Sequence, residues 1–167
     1  MDNDILQEEI SLIVPAWCDP RMRNFVWDAR TISVGMFAVG TESLAYATAE
    51  GLMFGAKLDR VSVRWPRFLY LSHGYDLYID DTGYRLYFVR PLQNAPRVRE
   101  DQVTRITDAL TDEYSDIAQL IGGTLGNAAL VGSLIGDLVA IPGVFMDQRR
   151  GKRNSEAVKA RLVQRRK

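Results

Sequence analysis

Few residues in this chain are of types that do chemistry. His73 is the only histidine. It lies in Ser72-His73-Gly74-Tyr75-Asp76, which holds the three residue types of a nucleophilic triad. Neighbours along a strand point to opposite faces, so these residues do not converge by proximity in sequence. Cys18 is the only cysteine, and it meets His73 only if the fold brings them together. A nucleophile also needs a base and an orienting group, and the sequence offers neither in a recognisable arrangement. One cysteine excludes an intrachain disulfide and a cysteine-based zinc site, and one histidine argues against a catalytic zinc centre. The expectation is a protein that is not an enzyme, with no catalytic residue, metal site or cofactor.

Other polar clusters have simpler explanations. Asp76, Asp80 and Asp81 lack the spaced oxygen ligands and closing glutamate of a calcium loop, so Asp80-Asp81-Thr82-Gly83 reads as a hairpin turn. The glycines between 122 and 136 lack the lysine and the strand–loop–helix context of a phosphate loop. Arg60, Arg64 and Arg67 lie on or near one strand as a small basic strip, most simply a solvated sheet face. The tyrosines at 70, 75, 78, 84 and 87 suit strand packing.

Charge distribution is more informative. The formal net charge is zero. Residues 148–167, however, hold nine basic residues and one acid, Glu156. The nine are Arg149, Arg150, Lys152, Arg153, Lys159, Arg161, Arg165, Arg166 and Lys167. This tail therefore carries +8 and the rest of the chain −8. Such asymmetry points to a tail that meets an anionic surface. Preceding it, Ile117–Gly136 is a run of twenty residues without a charge, about the length that spans a bilayer. Gln119, Thr124, Asn127 and Ser133 interrupt its apolar character. Gly122 with Gly126, and Gly132 with Gly136, form small-residue pairs that allow close helix approach, in a membrane or between copies of the chain. Basic clusters beside apolar segments attract anionic lipid and mark the cytoplasmic side. Contact with nucleic acid phosphates is the weaker alternative, because the tail lacks aromatic residues for base stacking.

The elements that position these residues follow from periodicity. In residues 1–29, the apolar patch from Ile5 to Val14 ends at Pro15 and predicts a helical or extended N-terminal segment. From 30 to 90, short apolar/polar alternations are separated by turn signals at Gly40–Ser43, Glu50-Gly51 and Asp80–Gly83. They predict six or seven antiparallel strands. After a proline-marked linker at 91–96, Val103, Ile106, Leu110, Tyr114, Ile117 and Ile121 step by three and four, which predicts one amphipathic helix over 100–121. The tail's Ala157, Val158, Ala160, Leu162 and Val163 fit a weak basic amphipathic helix.

Several short antiparallel strands followed by one amphipathic helix resemble the pleckstrin-homology (PH) superfold and its GRAM-like members. Val34–Trp65 resembles the family's opening strands, Tyr75–Pro91 its closing hairpin, and 100–121 its C-terminal helix. The resemblance covers 30–121. It implies a mainly β fold of about seven antiparallel strands in two orthogonal sheets capped by the helix. It also implies binding of lipid headgroups or proteins. The loop that would carry the headgroup-binding cations, Gly40-Thr41-Glu42-Ser43, is acidic here, which argues against headgroup binding at that loop.

Four regions are therefore expected: 1–29, the sheet domain 30–121, the glycine-rich segment 122–147 and the basic tail 148–167. The expected function is a non-catalytic binding module at a membrane surface, acting through the glycine-rich segment and the tail. The alternative is a soluble interaction or self-assembly protein. The acidic start, MDNDILQEEI, lacks the features of a signal peptide, and a cytoplasmic position at the inner membrane face is expected, peripheral or integral.

Overall fold

The computed structural model describes residues 12–23, 28–65, 74–97, 99, 101–102, 104–106, 108–110 and 144–164, with side chains in the last stretch described from 149 to 163. Within these residues the fold is mainly β. Seven antiparallel strands pair in the order β4-β3-β2-β1-β7-β6-β5. They are β1 (Leu12–Asp19), β2 (Ser33–Val39), β3 (Ser43–Thr48), β4 (Gly51–Lys57), β5 (Val61–Arg64), β6 (Tyr75–Ile79) and β7 (Thr82–Tyr87). The pairing runs unbroken as one sheet, where two orthogonal sheets were expected.

This sheet cannot be flat. Seven strands at ordinary spacing would put the edge strands about 29 Å apart. Yet the edges, β4 and β5, are joined by the 3-10 turn Leu58–Arg60 alone, which spans at most about 14 Å. The sheet therefore curls until its edges meet at that end. The rings agree: Phe54 of β4 and Tyr84 of β7 lie 4.3 Å apart between centroids, although three strands separate their own strands in the sheet.

The curl divides the side chains into an inner and an outer set. The inner core takes Val14, Ala16 and Cys18 from β1, Phe37 and Val39 from β2, and Leu44 and Tyr46 from β3. Phe54, Ala56, Tyr75, Leu77, Leu86, Phe88 and Val158 complete it. Tyr46 is fully buried, and its hydroxyl donates to a backbone carbonyl, with those of Ala16 and Ser33 both at 3.1 Å. Burial disfavours the phenolate, which pushes the Tyr46 hydroxyl well above its ordinary 10.0.

Strand β1 departs from expectation. Residues 12–19 were assigned to a segment outside the sheet domain, but they form a central strand between β2 and β7. Pro15 cannot donate to a ladder. It sits where β1 has β2 as its one partner, because pairing with β7 begins at Trp17.

The helix after the linker also differs in role. Positions 101–102, 104–106 and 108–110 are helical as expected. Ile106 and Leu110, however, pack against Ile13, Met36, Ala38, Ala45 and Ala47, on the outer face of β1–β3. The helix that reaches the inner core is instead α1 (Val144–Gln164), whose Val158 is a member of it. The other helical positions expected between 111 and 121, and 122–143 of the glycine-rich segment, lie outside the described residues, while 144–147 open α1.

Candidate functional site

Helix α1 carries most of the cations that the sequence singles out. Its residues are largely good helix formers (Arg, Lys, Gln, Ala, Leu), with no proline across Val144–Gln164. Gly151 is the exception. Mid-helix glycine costs about 1 kcal/mol relative to alanine, and here packing requires it. A Cβ at this position would lie 2.4 Å from the Phe88 carbonyl oxygen and 2.6 Å from Val89 Cγ2. The helix thus approaches the end of β7 more closely than any side chain would allow.

From Gly151 the buried stripe continues through Val158, with Asn154, Ser155 and Leu162 partly covered. These positions recur at helical spacing and use up the apolar side of α1. Arg149, Lys152, Arg153, Lys159 and Arg161 are exposed, and Arg150 is half-buried. Docking one side of the helix therefore turns its cations outward together. Glu156, the one acid between 149 and 163, is 4.0 Å from Lys152, and both side chains are largely exposed. Such a contact contributes little. Lys159 Nζ lies 5.0 Å from the centroid of the Trp65 ring, a cation–π contact that ties the helix to the segment leaving β5. Arg165, Arg166 and Lys167, and the four glycines at 122, 126, 132 and 136, lie outside the described residues.

The other sequence candidates separate in space. Cys18 is buried. Desolvation, with the Asp19 carboxylate adding, pushes its thiol far above the ordinary 9.0, so it is a poor nucleophile and metal ligand. His73 and Arg67 lie outside the described residues. The aspartates do not form one cluster. Asp80, at φ 51 in the hairpin turn, pairs with Arg60 of the Leu58–Arg60 turn, whose Nε is 3.2 Å from Oδ1. Asp76 is buried on the outer face, where Arg85 grips it with two hydrogen bonds of 2.6 and 3.0 Å. Among the described residues no group of histidine, cysteine and acidic side chains could hold a metal ion.

The Asp76–Arg85 pair belongs to a network that local patterns did not reveal. Asp19, Arg85 and Asp76 are directly opposed across β1, β7 and β6, so they form one row of alternating charge. Asp19 is fully buried and accepts from the backbone N–H of Arg21 at 3.0 Å and from Arg23 Nε at 2.9 Å. Arg85 Nη1 donates to the Arg23 carbonyl at 2.9 Å. Residues 20–23 thus close over the row, and its hydrogen bonds are turned inward, as a structural support rather than an open site.

No family model matches this sequence, and no curated protein or solved structure matches it. Among the described residues, no helix is long and apolar enough to cross a membrane.

Proposed function

We propose that this protein is a non-catalytic binding module of the PH/GRAM-like kind, held at an anionic membrane surface by the outward face of α1. The carrying observation is that Gly151, Val158 and Leu162 are spent on the sheet domain, which leaves Arg149, Lys152, Arg153, Lys159 and Arg161 presented together to solvent. A fixed array of like charge attracts a surface of opposite charge and loses less freedom on binding than a flexible tail does. The PH-like part of the reading is supported by the seven-strand antiparallel order, the curl of the sheet and a helix against its inner core.

Attachment from one side is favoured over a single crossing. Leu110 and Val158 both pack on the same sheet, so residues 111–143 begin and end at one body. Two full crossings need about 40 residues, more than 111–143 supplies.

Co-sedimentation with vesicles tests the proposal. The full chain should pellet with phosphatidylserine-containing vesicles and remain in solution with phosphatidylcholine alone. The triple substitution Arg149→Glu, Lys152→Glu, Arg153→Glu should abolish pelleting while the melting curve stays put. Equal behaviour of the two proteins would remove the basic face from the account.

A further inference from the structure

We infer that α1 stays docked when the protein binds, so that it meets lipid headgroups by charge alone and buries none of itself in the acyl layer. The inference rests on the membrane reading above and specifies its mode. A helix that lies in a membrane interface holds on through an apolar face sunk about 5–10 Å into the boundary. The apolar face of α1 is already occupied. Gly151 lies against Phe88 and Val89, Val158 is buried in the inner core, and Leu162 packs against the same cluster. What remains outside is charge and small residues. Ala157 and Ala160 are exposed between the cations, and Val163, at 46% exposure, is the one large apolar side chain described on that side. A lone valine at the end of the helix is no anchor.

Undocking would free the stripe for insertion, but it would also uncover Phe88 and Val89, leave Val158's place in the core empty and break the Lys159–Trp65 contact. The outward face needs no such rearrangement to meet a phosphate-rich surface. Between 149 and 163 the one acid on the helix is Glu156, which already contacts Lys152. Binding of this kind falls steeply with salt, and each exposed cation removed should weaken it about fivefold.

The test places a nitroxide at Ala157→Cys in the full chain. Cys18 is buried and leaves the new thiol as the labelling site. With phosphatidylserine-containing vesicles at low salt, the bound protein should keep its nitroxide accessible to a water-soluble relaxing agent and shielded from acyl-phase oxygen. It should release near 0.5 M salt, on the order of a Debye length below 5 Å. A nitroxide that moves into the acyl layer overturns the docked mode while sparing the membrane reading. Failure to bind these vesicles at low salt overturns both. Gly151→Val, which crowds the Phe88 carbonyl, serves as the control: its loosened helix should carry the label deeper and hold on at high salt. If the variant matches the parent in both depth and salt sensitivity, docking does not govern the mode of contact.

Discussion

Two helical stretches dock on opposite faces of one sheet, and they do so differently. The described positions between 101 and 110 lie on the outer face of β1–β3, on a bed of small side chains (Ala38, Ala45 and Ala47 beside Ile13 and Met36), and reach it with the large residues Ile106 and Leu110. Helix α1 meets the inner side, where the neighbours are aromatic and bulky, and reaches it by giving up its own side chain at Gly151. Closeness is obtained in the first case by a small sheet surface and in the second by a small helix residue. The exposed remainders differ as well. Asp101, Arg105 and Asp108 face solvent on the first stretch, and five cations with Glu156 do so on the second. The same packing rule thus serves a surface of mixed charge and a strongly basic one.

The largest effect is expected where neither helix is involved. Arg85→Ala would strand Asp76 as a buried charge, which should cost about 3–5 kcal/mol by chemical denaturation. An intact midpoint would show that the Asp76–Arg85 pair is not needed. Next, Ile106→Ala should cost about 2–4 kcal/mol through the cavity it leaves. The variant that remains folded should bind vesicles as the parent does. Val158→Ala should cost about 2 kcal/mol and, unlike Ile106→Ala, should also loosen the basic face. Amide exchange along 149–163 would rise in this variant alone. If both substitutions loosened α1 equally, the two docking sites would be one coupled unit.

A further effect concerns pH. Burial raises the Cys18 thiol and the Tyr46 and Tyr75 hydroxyls above their ordinary 9.0 and 10.0. Below pH 9 these groups are protonated in both the folded and the unfolded chain and contribute nothing to pH dependence. Above it, the unfolded chain loses protons that the folded chain keeps, so stability falls as pH rises. A denaturation midpoint that stayed level from pH 8 to about pH 11 would contradict the inner core as described.

Much of the sheet was legible from the turn signals that bound its strands and, in β4 and β5, from burial that alternates along the strand. The turn at Asp80-Asp81 was legible from its residue types. Strand β1 was not, for two physical reasons. It is covered on both faces, as Ile13, Trp17, Val14 and Cys18 show, so it has no alternation to detect. Pro15 also reads locally as a breaker, and only the pairing on either side explains why it is tolerated. The cations of α1 were legible individually, but their common direction was not. That direction depends on Gly151, Val158 and Leu162, an apolar stripe diluted among charges. The row Asp19–Arg85–Asp76 was invisible because Asp19 comes from a strand far in sequence from the β6–β7 hairpin that holds Asp76 and Arg85.

The place of β1 in the sheet has a kinetic consequence. The pairings β2–β3, β3–β4 and β6–β7 join neighbours along the chain, and such contacts close quickly. The pairing of Trp17, Cys18 and Asp19 with Tyr87, Leu86 and Arg85 joins one end of the sheet sequence to the other. Its loop-closure entropy must be met before the inner core rewards it. Folding is therefore expected to wait on β1 meeting β7. Until it does, both strands present unpaired edges, and Cys18, later sealed, is open to any thiol reagent in solution. The rate at which that thiol becomes protected during refolding reports the moment the sheet closes.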